Sequence, residues 1–112
     1  MRVFTILKLL AGRVKFGDGW LQVGDILMQW GVVQVTAPPG SKDSPSQAFA
    51  TINFTKRFTS YPTVVSMDNF GWSYNNSLGL RTREKGYVEI GVLSPRGAQT
   101  SIAIHWLAIG SA

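Results

Sequence analysis

Thr100-Ser101-Ile102-Ala103-Ile104-His105-Trp106-Leu107-Ala108-Ile109 decides the fold class. With a side-chain period of two, Ile102, Ile104, Trp106 and Ala108 fall on one face of this run. Ala103, His105, Leu107 and Ile109 fall on the other. The run reads as a β-strand, and apart from His105 both faces are apolar. A strand of a half-solvated antiparallel sheet carries one polar face. The second face therefore needs a cover, from the same chain or from a neighbouring subunit. In a domain too small for a third layer the neighbour is the better cover, which points to an oligomer.

Working outward, five more runs of Val, Ile, Thr and aromatic residues read as strands: 26–35, 47–54, 62–68, 77–83 and 87–93. A weaker run, 20–23, follows the turn Gly17-Asp18-Gly19. In 47–54, Ala48, Ala50, Ile52 and Phe54 share one face, with Phe49, Thr51 and Asn53 on the other. Turn residues recur at intervals of roughly 8–12 positions, the spacing of an antiparallel sandwich or barrel. Residues 1–15 fit neither a clean strand nor a clean helix, because Phe4, Ile6, Leu7, Leu9 and Leu10 suit either.

The chain has 112 residues, the length of one domain at about 100–200 residues. Such a chain buries roughly two thirds of its unfolded surface, enough for a core without staples. With 45% hydrophobic and 15% charged residues, a disordered role is excluded. Cysteine is absent, so there is no disulfide framework and no thiolate metal site. The opening Met1 to Leu10 is interrupted by Lys8 and does not read as a signal peptide. No apolar run approaches the roughly 20 residues of a membrane span, so no membrane insertion is expected.

Eleven Lys and Arg against six acidic residues give a net charge of +5. The basic residues are scattered, and the one dense run is Arg81, Arg83 and Lys85. A nucleic-acid footprint needs a denser patch or a known module, so no nucleic-acid partner is expected. Two readings of the charge stand: a solvated face that keeps the protein soluble, and attraction to an anionic surface such as lipopolysaccharide or teichoic acid.

Enzymatic machinery is scarce. No Gly-x-Ser-x-Gly elbow, Walker, Rossmann or zinc spacing occurs. Asp18, Asp25, Asp43, Asp68, Glu84 and Glu89 form no close cluster in the sequence, and nothing favours a glycosidase-like pair among them. The expectation is no catalytic residue, no metal and no cofactor. His105, the single histidine, reads as a structural residue of its strand; the functional alternative brings three copies together on a trimer axis to hold a metal or an anion.

Two loops differ in kind. Residues 36–46 are rich in Pro, Ser and Gly, which forbids ladder pairing. Residues 69–76, Asn-Phe-Gly-Trp-Ser-Tyr-Asn-Asn, carry three aromatics and three amides. Sugars present apolar C–H faces to an aromatic ring and hydroxyls to amide or guanidinium forks. Trp72 and Tyr74 are the candidate rings, and Asn75, Asn76 and Arg81 the candidate forks. The structural alternative has Phe70 and Trp72 anchoring the loop on the core and the asparagines forming turns. Tyr61, beside Pro62, reads as a packed loop aromatic. Trp30 and Trp106 read as core or interface residues, since both lie inside strands.

Two segments add a family resemblance. Gly24-Asp25-Ile26-Leu27-Met28-Gln29-Trp30-Gly31 resembles the first-strand motif of bacteriophage tail-fibre C-terminal tip domains, an apolar pair followed by Gln-Trp-Gly. Ile104-His105-Trp106-Leu107-Ala108-Ile109-Gly110 is similar to their closing strand, which ends Trp-x-Ala-x-Gly near the terminus. Between them, Ile52-Asn53-Phe54 and Phe58-Thr59-Ser60-Tyr61-Pro62-Thr63-Val64 are similar to the family's phenylalanine, phenylalanine, proline, valine progression. Residues 77–92 occupy the place of its hairpin. The order of elements also resembles the H-type lectins, six-stranded β-sandwiches that assemble as parallel trimers and bind sugars. The hairpin departs from the family pattern, with Arg81-Thr82-Arg83-Glu84-Lys85-Gly86-Tyr87 where threonines and a Gly-Phe are usual.

The resemblance implies an all-β, six-stranded antiparallel sandwich with an added N-terminal strand, assembled as a homotrimer. Residues 25–112 would be the tip domain and residues 1–24 a lead-in or attachment segment to other tail or virion proteins. It implies a non-catalytic tail-fibre tip that binds a host surface glycan of the lipopolysaccharide or teichoic acid class. The chain would be made in the host cytoplasm and located in the virion tail. The alternative is a structural virion protein, of tail tip, baseplate or capsid decoration, that binds other virion proteins.

Overall fold

The computed structural model describes residues 13–68 and 77–112. It has eight strands: β1 (Val14–Gly17), β2 (Trp20–Val23), β3 (Ile26–Ala37), β4 (Ser46–Asn53), β5 (Thr63–Asp68), β6 (Ser77–Arg83), β7 (Tyr87–Ser94) and β8 (Thr100–Ser111). No helix occurs among the described residues. Every pairing is antiparallel, and the strands build two sheets ordered β1-β2-β3-β8-β5 and β4-β7-β6.

The expectation of six strands and one more is corrected to eight. All seven runs read from the sequence form strands, and β1 is the addition. Four residues carry too little alternation to announce themselves. They become a strand because Gly17-Asp18-Gly19 turns the chain back onto β2, with Gly19 at a φ of 74° that glycine tolerates. β2 in turn pairs with β3, so this hairpin extends the first sheet.

Period-two alternation places the core. β4 buries Ala48, Ala50 and Ile52, and β7 buries Val88, Ile90 and Val92. Facing them from the other sheet are Leu27 and Ala37 of β3 and Ile102, Ile104 and Ala108 of β8. Phe54 and Phe58 pack edge to face, with centroids 5.0 Å apart, in the segment between β4 and β5. Each such Val, Leu, Ile or Phe contributes about 1.5–3 kcal/mol on burial, which makes this layer the main source of stability.

The Gln29-Trp30-Gly31 and Trp106-x-Ala108-x-Gly110 residues have separate physical jobs. Gln29 is buried, and its amide clamps the backbone of Lys56: Nε2 donates to the Lys56 carbonyl at 2.7 Å, and Oε1 accepts from the Lys56 N–H at 3.0 Å. Gly31 pairs directly with Trp106, whose indole packs 3.1 Å from where a β-carbon would stand. Gly110 leaves room for Phe58 and Pro62, since a β-carbon there would stand 2.9 Å from the Phe58 ring.

The strand ends divide the molecule. Arg13 accepts a backbone bond from Gly24 at 3.0 Å, and Ala112 donates to Asp25 at 2.8 Å, so the first and last described residues share one end. At the opposite end Ala37 pairs with Thr100 and Ser46 with Ser94, and Gly40 donates to Arg96 at 2.7 Å. The connections 38–45 and 95–99 therefore gather there, away from the termini.

Candidate functional site

Arg81 is the one candidate ligand residue from the sequence that lies within the described chain. A β-bulge puts it where it is: Leu80 pairs with Ile90 and Thr82 with Glu89, which leaves Arg81 as the extra residue of β6. Bulges re-aim side chains. Here the guanidinium is carried across the sheet, with its carbon 4.2 Å from the centroid of the Phe49 ring and Nη1 3.8 Å from Glu89 Oε2. Phe49 is 46% exposed, on the outward face of β4.

One row along, Phe49, Gly91 and Gly79 stand side by side on β4, β7 and β6. The two glycines leave a shallow trough of about 330 Å³, lined by Gln47, Phe49, Ser77, Arg81 and Leu93 around the glycine floor. That volume lies at the small end of ligand pockets, which span roughly 300–1,000 Å³. Phe49, Gly79 and Gly91 were not picked out from the sequence. The available signals were a lone aromatic on the otherwise polar face of its strand and two glycines inside strands, where close approach or an open site is the usual reason.

Trp72, Tyr74, Asn75 and Asn76 lie outside the described residues, as does Phe70. Their flanking residues Asp68 and Ser77 are the last of β5 and the first of β6.

The outer face of the larger sheet is apolar. Trp30, Leu107 and Val65 form one cross-strand row, and Val32, His105 and Met67 the next. Trp30 is 44% exposed and Met67 66%, and His105 is exposed rather than enclosed. A second shallow depression of about 330 Å³ lies between β5 and β8 around His105 and Leu107. Trp106, on the inner side of β8, is half-buried against Phe54.

Tyr61 is a correction. It was expected to pack, and it is 57% exposed. Pro62, just before β5, is the residue that enters the core, and Tyr61 beside it faces outward. The Arg83 and Lys85 cations stand 6.0 and 5.6 Å from its ring. Among the described residues no group of three His, Asp or Glu side chains could hold a metal ion.

No family model and no curated protein sequence matches the chain. Solved structures do match. An N-truncated R1-type pyocin tail fibre superposes with a TM-score of 0.65 at 17% identity, covering 98% of this chain and 97% of that one. The fold is tail-fibre-like. The tailspike gp49 of Pseudomonas phage LKA1 matches with a TM-score of 0.61 at 17% identity, and the Gp54 tailspike of Acinetobacter baumannii bacteriophage AP22, solved with a capsular saccharide, with 0.58 at 15%. These cover 76% and 75% of this chain, which spans only 15% and 17% of the two tailspikes.

Proposed function

We propose that this chain is the receptor-binding tip domain of a phage or prophage tail fibre, carried on the virion tail as a homotrimer after synthesis in the host cytoplasm. It docks on a host cell-surface glycan of the lipopolysaccharide or teichoic acid class and does not cleave it. The observation that carries the reading is the tail-fibre-like fold over nearly the full length of both the chain and the pyocin fibre fragment. The capsular saccharide bound by the AP22 tailspike supports a glycan as the ligand class. Trp72, Tyr74, Asn75, Asn76 and Arg81 remain the proposed contacts, and residues 1–24 the proposed attachment to other tail proteins. The subunit interface in this reading is the outer face of the larger sheet, where Trp30, Val32, Val65, Met67 and Leu107 gain cover from another copy.

The test is an array of purified lipopolysaccharides, teichoic acids and capsular polysaccharides probed with the wild-type chain and with Trp72→Ala. Binding to a defined glycan with no release of reducing ends is expected. Failure on every surface polymer would overturn the glycan reading, and released reducing ends would overturn the non-catalytic one.

A second reading has the chain as a structural virion protein of tail tip, baseplate or capsid decoration. The same apolar sheet face favours it, since a different virion protein would cover that face equally well. A monomer in solution that gains mass only with another tail protein would select this reading.

A further inference from the structure

The trough over Gly79 is open for a reason that packing does not supply. Glycine inside a strand is destabilising relative to alanine, so two outward glycines side by side need an account. Gly91 has one: the Phe49 ring covers it, with Cε1 and Cδ1 3.4 and 3.6 Å from where a β-carbon would stand. Gly79 has none, because among the described residues no atom beyond its chain neighbours lies within 4 Å of its missing β-carbon.

We propose that the trough is a subsite for one sugar unit bearing a carboxylate. This rests on the glycan-binding reading and names a place and a chemistry for it. The Phe49 ring and the Leu93 side chain give the C–H face of a pyranose an apolar bed. Gln47 and Ser77 on the rim supply hydroxyl partners. Arg81 supplies the charge. Its side chain is 55% exposed, and 3.8 Å to Glu89 is an ion pair without a hydrogen bond, so its donor fork stays open to a ligand. Glu89 is not part of the trough lining and holds the guanidinium from outside. The Phe49 ring holds the guanidinium over the trough by a cation–π contact at 4.2 Å, and a guanidinium placed there matches a carboxylate in bidentate fashion. Arg81 is the one charged side chain among the described residues that line the trough, and its fork fits one carboxylate. The chain's net charge of +5 draws an anionic polymer toward it.

The experiment is an amide NMR titration of the full chain with sodium glucuronate, and with glucose as the neutral control. Glucuronate should shift Gly79, Arg81 and Gly91 at least tenfold more strongly, at equal concentration, than glucose does. Arg81→Gln should remove that preference, and Gly79→Val should remove the shifts altogether. Unperturbed shifts in the distant core residues Leu27 and Ala108 establish that both variants fold. Equal response to both sugars, no response, or shifts confined to other surfaces overturns the proposal. Polysaccharide binding separates this from the broader reading: if both variants still bind the array glycan as wild type does, the subsite is wrong while glycan binding stands.

Discussion

The Trp106 indole lies against Gly31, with Cζ2 and Nε1 each 3.1 Å from the position a β-carbon on that glycine would take. The two residues are direct partners across β3 and β8. A ring this large reaches the Phe54 side of the core only because its cross-strand neighbour has no side chain. Gly31→Ala requires the indole to give by a few tenths of an ångström, and with Phe54 packed against that ring the expected result is overpacking, at about 1–3 kcal/mol. Urea denaturation should show that loss. The double variant Gly31→Ala/Trp106→Phe should be less destabilised than the two single changes summed, because the smaller ring relieves the same clash.

The Gln29 clamp holds the segment after β4 at both hydrogen-bonding groups of Lys56. Gln29→Leu leaves that N–H and carbonyl without their partner in a part-buried place, for a loss of about 1–3 kcal/mol. Gln29→Glu should cost more, since its carboxylate still accepts from the N–H but turns an oxygen toward the carbonyl. Hydrogen exchange at the Lys56 amide reads the effect directly: both the Leu and the Glu variants should exchange faster than wild type there.

The framework was legible in the sequence because its driving force is alternation. Ala48, Ala50 and Ile52 sit inside as their spacing demands, and Ile102, Ile104 and Ala108 do the same. β1 was not legible, since its four residues depend on a turn and a partner strand rather than on a pattern of their own. Tyr61 was misread because the residue before a buried proline is placed by its neighbour. The trough was hidden for a different reason. It is made from three strands, and a bulge that no local pattern announces brings Arg81 onto Phe49.

The proposed subunit interface makes a separate prediction. Trp30→Lys with Val65→Lys puts a charge on either side of Leu107 in one cross-strand row. Light scattering should give a trimer mass for wild type and a monomer mass for this variant, with the far-ultraviolet circular dichroism unchanged. A monomeric wild type at micromolar concentration would remove the homotrimer.

Ser94 is fully buried, and its hydroxyl has no hydrogen-bond partner among the described residues. Leaving such a group unpaired costs about 1–3 kcal/mol, so Ser94→Ala should raise Tm in a thermal melt rather than lower it. The neighbouring bond from the Ser46 hydroxyl goes to the Ser94 backbone carbonyl and survives the change.

Arg13 and Ala112 leave the same end of the fold, and the 38–45 and 95–99 connections close the other. An engineer who tethers this domain to a bead or a carrier through Ala112 therefore leaves the far connections facing open solution. The same arrangement separates two kinds of sequence constraint. Residues near the joined ends answer to one another through Asp25 and Gly24, whereas the far connections answer to one another through Gly40, which bonds to Arg96 and has no room for a β-carbon beside the Ser46 and Ser94 backbone.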